Sequence, residues 1–289
     1  MNRQILWMAM LALPLATGCK DKDDTGGAAD GTDGTDGTDG TDGTDGTDGT
    51  DGTDGTDGTG EVHFTVEGTA VLFSDFTVPA PEGACVDILD PTNVLTGGSP
   101  EVVSQTTVGT GGAYSASDVP VVSLGLFAQI RDCDAGDNIL FPSANGISSS
   151  RYADIEDGGT LSGLKSLAID VNTATAIQAS LEVAGYTGDI AVNGLVIGFL
   201  WDNASQPVAG AEMTCGSCVV YYADGDPSDG LFTTDGVPNT STSVEGGGLF
   251  AVPSAQLTTY QPTAPGYEFV STPLAALPAS AVVVAFTAE

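Results

Sequence analysis

Gly, Thr and Asp recur with a strict three-residue period from Gly31 to Gly58, and residues 20–60 contain nothing but Gly, Thr, Asp, Ala and two Lys. A stretch of this kind has no apolar surface to set against its chain entropy, so any core must come from residues 61–289. The Gly period is the one a collagen triple helix needs, but the repeat has no Pro to hold the extended backbone. Three aligned chains would also stack Asp on Asp at every level. Calcium-binding nonapeptide repeats need an apolar member that is missing here. What remains is a disordered, polyanionic tether over residues 19–60. About 40 Gly-rich residues span roughly 35 Å on average, and self-repulsion extends them further.

Ahead of the tether, Arg3 precedes an apolar run from Ile5 to Ala16. The run is too short for a bilayer, which needs about 20 residues, and has the dimensions of a secretory leader. It ends in Leu15-Ala16-Thr17-Gly18-Cys19, which resembles the lipobox of bacterial lipoproteins. The resemblance implies a signal peptide over residues 1–18 and Cys19 as the lipidated N-terminus, with the lipid membrane as a partner. Acyl chains anchor through about 0.8 kcal/mol per buried CH₂. Lys20 rather than Asp after the Cys suggests the outer membrane of the cell envelope.

Residues 61–289 are a different material. Of six basic residues in the chain, only Arg131, Arg151 and Lys165 fall here, and the formal net charge of the whole chain is −33. That balance repels nucleic acid and anionic lipid and favours cations. Short β-branched runs bounded by Gly, Pro, Asp and Asn predict strands at 62–68, 84–90, 102–108, 124–130, 195–201, 218–223, 248–253 and 281–288. Runs at this spacing suggest β-sandwiches. One segment differs. Residues 172–185 place Ile177, Leu181 and Ala184 at helical spacing, with Asn172 as N-cap and Gly185 as stop. The fold class predicted is therefore mainly β: two Ig-like or transthyretin-like sandwich units with one short connecting helix, behind the tether. The units are expected at 61–135 and 191–289, with 136–190 as an appendage that joins them.

In the second unit "GLVIGFLWDNASQPVAGAEMTC" (194–215), "TSTSVEGGGLFAVP" (240–253) and "GYEF" (266–269) are similar to carboxypeptidase regulatory-like domains, which are transthyretin-like sandwiches. Pro207, Gly210 and Ala211 match the turn of that pattern, and Thr242, Gly248 and Phe250 its later element. Residues 66–91 and 106–120 show a looser version in the same order, as a diverged copy would. The resemblance implies a fold and no catalysis. Metallocarboxypeptidase chemistry needs two His and a Glu on zinc, and the chain has one His, His63.

Other catalytic patterns are absent or broken. Ser162-Gly163-Leu164-Lys165 has a nucleophile-and-base spacing but no downstream Lys-Thr-Gly. Two carboxylates suffice for a glycan hydrolase, so that remains an alternative to a non-catalytic protein. Beyond Cys19 four cysteines suit an oxidising compartment: Cys85 with Cys133 in the first unit, Cys215 with Cys218 in the second. A redox or zinc role for the CxxC lacks a following helix, a second CxxC and a nearby His. Two Asp-rich loops are candidate calcium sites, Asp224, Asp226 and Asp229 in one, Asp132, Asp134 and Asp137 in the other. Asp also suits turns for its own sake. The function expected is a tethered envelope lipoprotein whose sandwiches make structural or adhesive contacts with protein or polysaccharide. A calcium-dependent binding module is the alternative in the binding class.

Overall fold

The computed structural model describes residues 61–134, 136–226, 230–254 and 256–288. The expected signal peptide (1–18), the expected lipidation site Cys19 and the expected tether (19–60) lie outside the described residues, as does Asp229.

The first half of the chain runs β1 (His63–Leu72), β2 (Asp75–Pro79), β3 (Cys85–Asp90), β4 (Glu101–Thr107), β5 (Ala113–Pro120), β6 (Leu126–Arg131), β7 (Leu140–Phe141), β8 (Ser143–Ile147) and β9 (Gly159–Asp170). Then come α1 (Val171–Val183) and the single turn α2 (Ile190–Asn193). The second half runs β10 (Leu195–Trp201), β11 (Glu212–Thr214), β12 (Tyr221–Tyr222), β13 (Thr233–Thr234), β14 (Val237–Pro238), β15 (Leu249–Val252), β16 (Thr258–Thr263), β17 (Thr272–Leu274) and β18 (Ala281–Thr287). All eight predicted strand runs contain a strand, and the fold is mainly β.

Both halves are sandwiches with one wiring plan. In the first, β1 lies between antiparallel β5 and parallel β9, and faces β3, β6 and β8. In the second, β10 lies between antiparallel β15 and parallel β18, and faces β11, β16 and β17. The agreement extends to single residues. Gly68 pairs with Tyr114 as Gly198 pairs with Phe250, and each aromatic ring fills the space a Cβ on its glycine would take. Gly112 and Gly248, two residues before those rings, both hold positive φ (83° and 69°). There a Cβ would strike the carbonyl oxygen of Ala70 or of Leu200, so only glycine fits. The turns match as well. Gly83 N–H donates to Val108 O at 2.8 Å, and Gly210 N–H to Thr242 O at 2.7 Å. The return bonds run from Val108 N–H to Ala84 O and from Thr242 N–H to Ala211 O.

The two sandwiches share a sheet. The second sheet of the first repeat and the first sheet of the second join through the parallel pair β8–β18, giving one eight-stranded sheet in the order β12-β15-β10-β18-β8-β6-β3-β4. A five-stranded sheet of β1, β2, β5, β7 and β9 covers one face at the first repeat. The three-stranded sheet β11-β16-β17 covers the opposite face at the second. Helix α1 fills the remaining face of the second repeat. Its Ala174, Ile177 and Leu181 pack on Leu195, Ile197 and Phe199 of β10. Buried on both faces, β10 reads as a continuous apolar run rather than an alternating one.

Segment 136–190 is therefore not an appendage. It supplies β8, the strand on which the shared sheet hinges, and β9, the last strand of the first sandwich. Both are hard to read in sequence. β9 is bulged where Gly163 takes φ 73°, so its inward residues Leu161 and Leu164 are three apart instead of two. β8, Ser-Ala-Asn-Gly-Ile, is poor in strand formers. Its buried Asn145 supplies a partner where β9 has none. Asn145 Oδ1 accepts from Leu167 N–H at 2.8 Å, and Asn145 Nδ2 and Ser143 Oγ both donate to Leu167 O.

The helix begins earlier than expected. The N-cap is Asp170, the last residue of β9, and not Asn172. Its carboxylate accepts from Thr173 N–H at 3.0 Å and Thr173 Oγ1 at 2.6 Å. Burial opposes the charge on Asp170, but the Thr173 bonds, with a longer one from Ser74, more than offset it and hold its pKa below the ordinary value. Gly185 ends the helix with φ 95°.

Candidate functional site

The loop after β12 carries the first predicted calcium set. Asp224 Oδ1 accepts from Asp226 N–H at 2.9 Å, which shapes the turn. Asp224 Oδ2 lies 2.8 Å from Thr234 Oγ1, and Asn239 Oδ1 lies 2.7 Å from the same hydroxyl. Asn239 Nδ2 donates to Tyr222 O, which aims the amide oxygen at Thr234. Three oxygens thus meet around one hydroxyl proton, a composition suited to a hard cation. The hairpin β13–β14 brings Thr234 and Asn239 to Asp224. Neither had been expected as a ligand, because the pairing of this hairpin is not visible in spacing. Asp229, the third predicted member, is outside the described residues.

The second set does not assemble. Both Asp132 carboxylate oxygens accept from backbone, from Ile139 N–H at 2.8 Å and Leu140 N–H at 3.1–3.2 Å. They start β7 rather than face a ligand. Asp134 holds Asp137 through a backbone turn. Among the described residues no three His, Cys, Asp or Glu side chains come together as a metal site.

The cysteines are paired as Cys85–Cys133 and Cys215–Cys218, with Cα atoms 5.0 and 5.5 Å apart. Beside the first lies an ion pair that leaves no mark in the spacing of its residues. Asp87 is 2% exposed, and its carboxylate accepts from Arg131 Nε, Arg131 Nη2 and Gln105 Nε2. Arg131 Nη1 donates to Asp132 O. The group braces β3 against β4 and β6. Ser162 and Lys165 are exposed on β9. His63 lies at the rim of β1, with Nδ1 2.9 Å from Glu61 O. Among the described residues no cluster of three His, Cys, Asp or Glu side chains forms at either place.

The residues behind the motif in the second unit serve the fold. Thr242 is 3% exposed. Its hydroxyl donates to Val208 O at 2.6 Å and accepts from Ala211 N–H at 3.0 Å, closing the turn that Pro207 and Gly210 shape.

Comparison with protein-family models returns no match, and neither does comparison with curated protein sequences. Solved structures give distant likenesses. The Bacillus anthracis TIE protein is 14% identical over 79% of this chain, with a TM-score of 0.24. The shaft pilin SpaA of Lactobacillus rhamnosus GG is 12% identical over 79% of this chain and 98% of its own, with a TM-score of 0.25. A streptococcal ancillary pilin is 11% identical over 78% of this chain and 68% of its own, at 0.22. The chain spans about a third of the length of the TIE protein (34%). Likenesses at this level carry no functional information.

Proposed function

We propose that this chain is a non-catalytic, lipid-anchored envelope protein that displays a two-repeat β-sandwich for structural or adhesive contacts with protein or polysaccharide. One observation carries the reading. The lipobox-like Leu15–Cys19 is followed by some forty residues with nothing to bury, and β1 begins at His63, directly after them. A chain built in this order separates an anchor from a folded body. The carboxypeptidase regulatory-like motif supports the non-catalytic part, since Pro207, Gly210, Ala211, Thr242, Gly248 and Phe250 are engaged in turn and core. Lys20 after the Cys favours the outer membrane. The test is metabolic labelling with an alkyne-bearing palmitate in cells expressing the chain. Label and membrane fractionation that disappear together in Cys19→Ser support the anchor. An unlabelled, secreted wild-type protein ends it.

Calcium dependence is a second reading, favoured by the oxygens of Asp224, Thr234 and Asn239. A ligand that binds only the folded state raises the melting midpoint, by the equivalent of about 2.7 kcal/mol at a hundredfold excess over Kd. A calcium-dependent rise absent in Asp224→Asn supports the site. Equal midpoints in calcium and in EDTA dispose of it.

A further inference from the structure

The repeat correspondence exposes an edge that one sandwich fills and the other does not. Ala84 corresponds to Ala211, so Val86 corresponds to Met213, and their partners Ile130 and Pro262 correspond in turn. It follows that Asn145 of β8 matches Thr272 of β17, Ala144 matches Ser271, and Gly146 matches Pro273. On β8 the outer edge is taken. Ser143, Ala144 and Asn145 pair in parallel with Ala281, Val282 and Val283 of β18. On β17 no strand among the described residues lies beside the same edge, and Val270 next to it is 62% exposed.

A row of unpaired backbone groups is a template for another chain. Here it is also the point at which the architecture would repeat, because a second copy placed on β17 would stand as the second repeat stands on β8. The matched positions differ in the one respect that matters for this. At Gly146 a Cβ would stand 3.4 Å from Val284 Cγ1 of β18, an ordinary contact, and the backbone N–H is present. At Pro273 the ring closes on the backbone nitrogen, which has no N–H to offer. Pro is tolerated in a strand where its missing donor is owed to no neighbour, which is the free edge, and Pro273 is exposed. A copy approaching through β9 would present the edge at Leu161–Gly163, where the Gly163 bulge bends the strand.

We infer that Pro273 is a stop that seals the edge of β17 against sheet pairing with a second copy. The chain then makes its contacts through faces and loops and not by extending its sheet.

The test is light scattering on the full chain carrying Cys19→Ser, so that no acyl group drives association, with and without Pro273→Val. The expected result is a monomer mass at every concentration for the parent and a mass that rises with concentration for Pro273→Val. The rise should vanish when Ser271→Lys places a charge on the same edge. Pro273→Ala restores the N–H with less strand bias and serves if the Val variant does not fold. Variants that fold with the parent's melting midpoint and stay monomeric overturn the inference. So does a parent that already self-associates and is made monomeric by Ser271→Lys.

Discussion

The two sandwiches share a wiring plan and differ in how each secures it. The first repeat relies on long-range devices. Cys85–Cys133 closes 48 residues, Arg131 ties Asp87 across β3 and β6, and Asn145 bonds one sheet to the other through Leu167. The second relies on local ones. Cys215–Cys218 closes three, and the Thr242 hydroxyl clasps a turn that Val108 holds in the first repeat by backbone alone. Core chemistry differs accordingly. The position of Ala128 under the first repeat is taken in the second by Tyr260, whose buried hydroxyl has no hydrogen-bond partner among the described residues and whose pKa burial pushes up to about 12. A shared fold thus constrains the places where glycine and turns must fall, and leaves open how the layers are fastened.

The disulfides give the widest separation. Loop-closure entropy predicts about 4 kcal/mol for the 48-residue loop and roughly half that for the CxxC loop. Chemical denaturation of Cys85→Ala/Cys133→Ala beside Cys215→Ser/Cys218→Ser measures both. Equal losses would deny that the first repeat depends on its long-range tie. Next comes Asn145→Leu, which leaves the Leu167 N–H without its partner, while Leu167 O keeps the Ser143 hydroxyl, at about 1–3 kcal/mol. The matched Thr272→Val sits near the surface and should stay within about 0.5 kcal/mol. Thr242→Val removes the clasp and should lower stability by about 1–3 kcal/mol, since Val208 O and Ala211 N–H lose a partner.

Asp170→Ala belongs to the junction between the two repeats. Loss of an N-cap costs about 1 kcal/mol at neutral pH. The folded pKa of Asp170 lies below the unfolded value of about 3.9. Its contribution is therefore present above that pH and lost as pH falls through the folded value. The gap between the melting midpoints of parent and variant should close in acid. The smallest effect has the opposite sign: Tyr260→Phe removes an unsatisfied hydroxyl and should stabilise by roughly 1 kcal/mol.

Strands with a simple period or a continuous apolar run were legible, and β10 coincides with its predicted run from Leu195 to Trp201. The helix was legible too, except that its cap had to be sought inside the preceding strand. What spacing could not reveal was β8 and β9. A bulge at Gly163 shifts the period of one, and the other is built from polar and small residues that make sense only against Leu167 and β18. The candidate cation site shows the same limit. Asp224 could be named from an Asp-rich loop, while Thr234 and Asn239 reach it only through a hairpin.

The amino-acid sequence by itself determined that residues 20–60 hold no core, that the body is β, and where glycine and proline must bend it, because those are properties of each residue's own surface and backbone. Only the tertiary structure decided that the two sandwiches share a sheet, that β8 of segment 136–190 lies at its centre, and that one equivalent edge is paired while the other carries Pro273. Those are relations between strands far apart in the chain, and the hydrogen bonds that settle them have no local signature.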